Sequence, residues 1–198
     1  MTGVDTGRIE RAVRELLLAI GEDPDRAELE RTPARVAEAY EEFFSGIGAD
    51  PQAHLADSVE IGAADDGEPA TGDAIVLRDL HFRSVCEHHL LPFIGTAHVA
   101  YLPGSKVVGL GRIPALVDTL ASRPQLQERL GEEIADALEA GLAPRGVLVV
   151  LDAVQSCVTT RGVRQEHSST VTVASRGALA DSAARTEIIA LIGSGRGA

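Results

Sequence analysis

Apolar residues recur every three or four positions in two segments near the start of the chain. The first segment ends at Gly21, and the second follows Thr32 and Pro33 and ends at Gly46. This spacing places the apolar side chains on one face of a helix, and a threonine before a proline is typical of an N-cap and a first helical position. The sequence therefore predicts two amphipathic helices, which form an N-terminal helical arm over residues 1–47.

The segment after the helical arm has a different composition. Residues 48–73 are rich in alanine, aspartate, glycine and proline and show neither helical nor strand periodicity over most of their length. Such a composition is typical of a long connection between folded parts. We therefore predict a linker here, which leads to a main domain over residues 74–198.

The main domain shows two pairs of strand-like segments with two helical patterns between them. The strand-like segments are AIVLRDLHF, IGTAHVAYL, GVLVVLDAV and SSTVTVAS. One helical pattern covers residues 112–122, a second begins at Pro124 and ends near Gly141, and a closing helix is expected over residues 185–192. This order predicts an α+β fold with an antiparallel four-stranded sheet and two helices on one face.

The charge of the chain excludes several classes of partner. It has 18 Lys and Arg residues against 30 Asp and Glu residues, a formal net charge of −12, and its aromatic content is 3% with no tryptophan. Such a surface repels nucleic acids and anionic lipids and offers few rings for base stacking. No apolar run reaches the roughly 18 residues of a membrane span, and no secretory signal is evident. We expect a cytoplasmic protein without nucleic-acid or membrane partners.

The densest cluster of reactive side chains is the stretch Cys86-Glu87-His88-His89, directly after a predicted strand. The other cysteine of the chain, Cys157, lies at the end of another predicted strand. If the two strand ends meet, Cys86, His89 and Cys157 can bind one zinc ion. Three protein ligands leave a fourth position for a water molecule, whose pKa then falls to about 7. Such a site is hydrolytic.

Other interpretations of these residues stay open on spacing alone. A cysteine is most often a small buried hydrophobe, and a histidine pair can be an ordinary surface feature. A disulfide between the two cysteines is disfavoured in a reducing cytoplasm. A zinc nucleobase deaminase is a competing interpretation, but it requires His-x-Glu and Pro-Cys-x-x-Cys motifs that this chain does not contain.

Longer stretches of the chain resemble a known family. CEHHLLPFIGTAHVAYLP, VVGL, RPQLQERL, RGVR and SSTVTV, in this order, resemble GTP cyclohydrolase I, as does AIGEDPDRAELERTPARVAEAY in the helical arm. The resemblance implies a tunnelling fold (T-fold) and a ring-shaped homo-oligomer, a decamer, with active sites between subunits. It also implies addition of zinc-activated water to C8 of GTP, opening of the imidazole ring, release of formate and closure to dihydroneopterin triphosphate.

The resemblance also assigns roles beside the metal. It implies Cys86, His89 and Cys157 as the zinc ligands, in agreement with the spacing argument. It implies that His88 transfers protons or contacts the substrate next to the metal. Both the hydration and the amide hydrolysis require metal hydroxide and a proton donor, which accounts for imidazoles around the ion.

Substrate contacts follow from the same resemblance. Gln127 and Glu128 would recognise guanine, whose ring N–H and amino group suit a carboxylate acceptor. Arg161 would bind phosphate, as would Arg112 and, from the helical arm, Arg35. Without the resemblance, the pattern indicates only that Gln127 and Glu128 lie on a solvated helix face. The arginines would then form surface ion pairs that contribute little to stability.

The chain departs from the family pattern at several of these positions. Gln155 stands where the family has a second catalytic histidine, and a glutamine cannot shuttle a proton near neutral pH. Gly111 and Ala115 replace a serine and an arginine, while Arg112 keeps the charge of a lysine. Glu38 stands where a lysine is frequent. The metal-binding and guanine-binding positions therefore keep the family's residues, whereas the polyphosphate-binding positions are altered. We expect Gln155 to position water or substrate.

Three functions are therefore carried forward. The first is a zinc-dependent cyclohydrolase of the GTP cyclohydrolase I type that acts on GTP or a related guanine nucleotide. The second is a divergent paralogue that opens the ring of a purine with fewer phosphates, or stops at the formamide. The third is a catalytically silent, nucleotide-binding scaffold, which the intact ligand triad disfavours because a silent protein has no need of an open metal position.

Overall fold

The structure, a computed structural model, describes residues 3–61 and 73–194. The chain divides into two units, Met1–Ala49 and Asp50–Ala198, which we describe separately. Residues 62–72 of the predicted linker lie outside the described residues. Its earlier part contains a 3₁₀ turn, Pro51–His54, and Leu55 is buried in the core of the second unit.

The first unit consists of helices α1 (Thr6–Ala19) and α2 (Thr32–Phe43), as the spacing predicts. Asp5 caps α1, since its carboxylate accepts a hydrogen bond from the backbone N–H of Arg8 at 2.9 Å. The predicted N-cap of α2 is wrong by one residue. Thr32 is already helical, and its side chain makes no capping bond because the cap position falls on Arg31.

The second unit contains a five-stranded sheet. The strands, in chain order, are β1 (Val59–Glu60), β2 (Ile75–Cys86), β3 (Pro92–Leu102), β4 (Lys106–Val107), β5 (Pro124–Gln125), β6 (Gly146–Gln155) and β7 (Thr170–Gly177). The sheet has the order β5-β2-β3-β6-β7, and β1 pairs separately with β4. The four long strands are antiparallel, as predicted, while β5 runs parallel to the end of β2.

The start of the long helix differs from the prediction. The remaining helices are α3 (Arg112–Ala121), α4 (Gln127–Leu142), α5 (Ser156–Thr159) and α6 (Ser182–Gly193). Pro124 does not open α4. Instead, Pro124 and Gln125 pair with the last two residues of β2, which places the start of α4 beside the end of that strand. The helix-start signal of a proline is weaker here than the strand pairing it joins.

Apolar side chains cover both faces of the sheet. In β6, Val147, Val149 and Leu151 belong to the core shared with α3 and α4, whereas Leu148 packs with Ile188 of α6. Alternate residues of a strand point to opposite faces, so a strand buried on both sides becomes a continuous apolar run. Helices α3 and α4 thus lie on one face as predicted, and α6 lies on the other.

The sheet register brings the chemistry-bearing strand ends together. Both β2 and β6 are antiparallel to β3 and therefore run in the same direction. Val85 of β2 pairs with Pro92, and Gln155 of β6 pairs with the adjacent Phe93. Consequently β2 and β6 end at the same edge, separated by the start of β3. No helix in the described residues is long and apolar enough to cross a bilayer.

Candidate metal centre and active site

A tight turn after β2 brings the first two predicted ligands into proximity. The backbone N–H of Leu90 donates to the carbonyl of Cys86 at 2.8 Å, and the N–H of Cys86 donates to the carbonyl of Leu91 at 2.8 Å. Leu90 has a φ of 51°, in the left-handed region that closes the turn. The turn therefore holds Cys86 and His89 on one side of the strand end.

Cys157 completes the cluster from the first turn of α5, directly after β6. The ligand atoms of Cys86, His89 and Cys157 all lie within 4.8 Å of one another, and this is the one such group among the described residues. Two thiols and an imidazole are a donor set that zinc prefers, and zinc bonds of about 2.0–2.3 Å fit a cluster of this size. The residues therefore fit a zinc ion with one position open to solvent.

The electrostatics of the cluster favour a bound cation. Burial raises the pKa of the Cys157 thiol, and the neighbouring Cys86 raises it further, while Arg161 lowers it. Two negatively charged thiolates at this distance repel each other, which is why Cys86 raises the pKa of the Cys157 thiol. A divalent cation reverses this effect because it stabilises both thiolates.

Arg161 lies beside the cluster. Its Nη1 is 3.2 Å from Nε2 of His89. A guanidinium only donates hydrogen bonds, so the imidazole nitrogen is the acceptor in this contact. Arg161 therefore places a permanent positive charge next to the metal ligands.

A cavity of about 480 Å³ opens beside the cluster. It brings together residues from the two strand ends, from the start of α4 and from the start of β7. The lining residues are Cys86, His88, Gln125, Leu126, Gln127, Glu128, Gln155, Cys157 and Thr170. Six of these are site residues that the sequence predicts: Cys86, His88, Gln127, Glu128, Gln155 and Cys157.

His88 and Glu128 both line the cavity, but they differ in their polar neighbours. The His88 ring is exposed, and its Nε2 lies 3.9 Å from Glu87 Oε1. Glu87 also pairs with Arg129 of α4. Glu128, in the first turn of α4, is exposed to the cavity, and it has no hydrogen bond or ion pair among the described residues. Its carboxylate is therefore accessible to a ligand.

Gln125 is a cavity residue that the sequence does not predict. It is 1% exposed, and its amide Nε2 donates to the Leu120 carbonyl at 3.1 Å and to Glu133 at 2.8 Å. Its Oε1 accepts from Nε of Arg129 at 3.1 Å. The signal that could have found it is the Gln-Leu-Gln alternation of residues 125–127, which is a strand period rather than a helical one.

Within the second unit, the predicted anion contact Arg112 does not line this cavity. Arg112, in the first turn of α3, forms an ion pair with Asp57. Arg35 lies on α2, in the first unit. Glu38 lies on the same helix. Within the second unit, Arg161 is the predicted anion contact that lies beside the metal ligands.

Comparisons with known proteins agree with this geometry. The family model described as GTP cyclohydrolase I matches residues 9–193. A GTP cyclohydrolase 1 from Leifsonia xyli is 60% identical over 195 residues, which cover 98% of this chain and 99% of the relative. One from Rhodopirellula baltica is 49% identical over 190 residues, covering 96% and 80%. Among solved structures, the apo archaeosine synthase QueF-Like has a TM-score of 0.46 at 20% identity, covering 54% of this chain and 96% of that one. Since the family model matches almost the whole chain, and a relative is 60% identical over nearly its full length, the chain belongs to the GTP cyclohydrolase I family.

Proposed function

We propose that this protein is a zinc-dependent GTP cyclohydrolase I, a hydrolase that opens the imidazole ring of GTP at C8. Formate is released, and the remaining atoms close to dihydroneopterin triphosphate. The single observation that carries the proposal is the convergence of Cys86, His89 and Cys157 at the rim of a cavity that Glu128 also lines.

The metal site supports hydrolysis rather than a purely structural role. Cys86, His89 and Cys157 would hold zinc, and no fourth ligand from the described residues joins them. A zinc ion bound by three protein ligands lowers the pKa of its water to about 7 and so supplies the nucleophile at neutral pH. We place the protein in the cytoplasm, where reducing conditions keep cysteines available as metal ligands.

The cavity supports recognition of a purine. Its volume of about 480 Å³ lies within the roughly 300–1,000 Å³ of small-molecule sites. The exposed Glu128 carboxylate can accept hydrogen bonds from N1–H and the 2-amino group of guanine. The exposed His88 ring can give a proton to, or take one from, the reacting purine.

Arg161 supports binding of an anionic substrate. Its guanidinium lies beside His89, and a guanidinium binds phosphate oxygens in a bidentate manner. We place Arg112 and Arg35 as further phosphate contacts. The carboxylate of Asp57 pairs with the Arg112 guanidinium and so weakens the positive potential that a phosphate would meet there. As in the family resemblance, we propose a homo-oligomer, a decamer, with sites between subunits.

The ion pair between Arg112 and Asp57, together with Gln155, favours a second candidate function, that of a divergent paralogue. A paralogue that acts on a guanine compound with fewer phosphates needs fewer cations, and one that lacks the second histidine can stop at the formamide. A nucleotide-binding scaffold without activity is a third candidate, for which the ligand triad offers no support.

One assay separates these functions. The zinc-loaded protein is incubated with GTP, GMP and guanosine, while formate release and pterin fluorescence are recorded. The proposal predicts formate and a fluorescent pterin from GTP, with GMP and guanosine turned over less efficiently. Preferred turnover of GMP or guanosine, or a formamide without formate, supports the paralogue. A preparation that binds no zinc and is insensitive to chelators supports the scaffold.

A further inference from the structure

The amide of Gln155 has a fixed orientation, set by its neighbour Gln127. Gln127 is 3% exposed, and its Nε2 lies 3.2 Å from the Leu151 carbonyl and 2.7 Å from the Thr170 carbonyl. Carbonyl oxygens only accept hydrogen bonds, so the amino group of Gln127 must face them. Its Oε1 therefore faces Gln155 as an acceptor.

This orientation determines which end of Gln155 faces the ligand. Gln155 donates from Nε2 to Oε1 of Gln127 at 2.7 Å. Its side chain makes no other hydrogen bond among residues 3–61 and 73–194, and it lines the cavity together with Cys157. The carbonyl oxygen, on the opposite side of the amide, is thus the end that Gln127 leaves free. Gln155 presents a hydrogen-bond acceptor close to the metal ligands.

The proposed reaction changes the hydrogen-bonding character of one purine atom. When water adds across the C8–N7 double bond, its oxygen bonds to C8 and a proton bonds to N7. N7 is therefore an acceptor in GTP and becomes a donor after hydration and in the ring-opened formamide. The other neighbour of C8, N9, carries the ribose and takes up a proton only afterwards, when the C8–N9 bond breaks and the ring opens.

Resting on the proposed function, we infer that Gln155 Oε1 accepts a hydrogen bond from the N7–H that forms when water adds to C8. The Gln155 carbonyl oxygen cannot form a hydrogen bond with N7 of GTP, because both are acceptors. It can accept a hydrogen bond from the N7–H of the hydrated ring. Interactions that strengthen along the reaction lower its barrier, whereas uniform binding does not. Gln155 thus favours ring opening by hydrogen bonding, although it cannot transfer a proton as a histidine does.

Binding of 8-oxo-GTP tests this inference, because that nucleotide carries a permanent N7–H. Its affinity relative to GTP is measured by calorimetry for the zinc-loaded and metal-free protein. We expect 8-oxo-GTP to bind more tightly than GTP, and Gln155→Met to reduce this preference by about fivefold, the loss typical of one neutral hydrogen bond. The exposed Gln165, whose Nε2 donates to the Val163 carbonyl, provides the matched control Gln165→Met, with an unchanged preference.

A second variant separates ligand contact from a structural role. Gln155→Glu keeps an oxygen towards the cavity but loses the N–H that Gln127 accepts. If the contact with N7–H matters, this variant retains the preference for 8-oxo-GTP. If only the bond to Gln127 matters, both variants lose it and the inference is overturned.

Two further outcomes distinguish the inference from the proposed function. Tight binding of GTP with the same preference in the parent and in Gln155→Met overturns the inference alone. Failure of the parent to bind either nucleotide overturns the proposed function and the inference with it. Melting curves and zinc content are recorded for every variant, so that a preference is compared only between folded proteins.

Discussion

The metal-binding end and the anion-binding positions of the second unit are built in different ways. The cluster of Cys86, His89 and Cys157 is placed by backbone geometry, through the sheet register and a tight turn. The proposed anion contacts are long arginine side chains on separate elements, such as Arg161 after α5 and Arg112 on α3. A ligand that depends on strand register cannot move without losing its site, whereas an arginine can reach an anion from several backbone positions.

This difference accounts for two of the departures expected from the family resemblance, but not for Gln155, which lies beside the candidate metal ligands. The substitutions at Gly111 and Ala115 fall among the anion-binding positions, and none falls on the metal ligands. The comparison therefore predicts that changes at the metal end abolish function, while changes at the anion end adjust affinity. Four substitutions test it, from the largest effect to the smallest.

The largest effect is expected from Cys157→Ala. It removes one of three ligands, so the zinc content of the purified protein should fall from one ion per subunit to almost none. Formate release should fall by more than the 10–100-fold that loss of a partner of a metal ligand typically costs. Elemental analysis and a formate assay measure both. Retained activity in a zinc-free variant would refute the site assignment.

The next largest effect is expected from Glu128→Ala. Loss of hydrogen bonds to a charged acceptor costs about 1.5–3 kcal/mol, so guanine nucleotides should bind roughly 10–100-fold more weakly. Glu128→Gln is the control, since it keeps one acceptor oxygen and should lose less. Because Glu128 is not a metal ligand, zinc content should stay unchanged. Equal affinity of all three proteins for GMP would contradict the role in base recognition.

A smaller effect is expected from Gln155→His, which restores a group that transfers protons near neutral pH. If the parent accumulates the formamide, the fraction of turnovers that proceed from it to formate and pterin should rise about tenfold, less than the 10²–10⁴-fold typical of general acid–base catalysis because His88 already supplies one such group. Chromatography of the products measures this fraction. The same product ratio in both proteins would show that the missing histidine does not limit the later steps.

The smallest effect is expected from Asp57→Asn. It frees Arg112 from an ion pair between exposed side chains, and such pairs contribute about 0.2–1 kcal/mol. GTP should bind about two- to fivefold more tightly, with a smaller change for guanosine. Glu60→Gln, which removes the exposed partner of Lys106, is the matched control. Equal improvement by both variants would indicate a general charge effect instead of a phosphate contact at Arg112.

The sequence predicts the fold well where a local pattern determines it. Both helices of the first unit and the four long strands follow from apolar periodicity. The start of α4 does not, because Pro124 and Gln125 gain more from pairing with the end of β2 than from the helix. The position of α6 on the second sheet face also requires tertiary information, since Leu148 and Val149 are equally apolar in the sequence.

The site follows the same division. The spacing of Cys86 and His89 indicates a shared turn, but the approach of Cys157 depends on β2 and β6 running in the same direction on either side of β3. No local sequence pattern shows that both Nε2 and Oε1 of Gln127 form hydrogen bonds within the protein. From the sequence alone, Gln155 shows only that the second catalytic histidine is missing. The structure adds that its amide is oriented by Gln127, which leaves Oε1 as a free hydrogen-bond acceptor.

X-ray absorption at the zinc edge tests the central claim most directly. The account predicts one zinc per subunit, bound by two sulfur atoms at about 2.3 Å, one imidazole nitrogen and one oxygen that exchanges with solvent. Cys157→Ala should remove one sulfur from the spectrum together with most of the zinc. A fourth ligand from the protein, or a fully active preparation without zinc, would contradict the account.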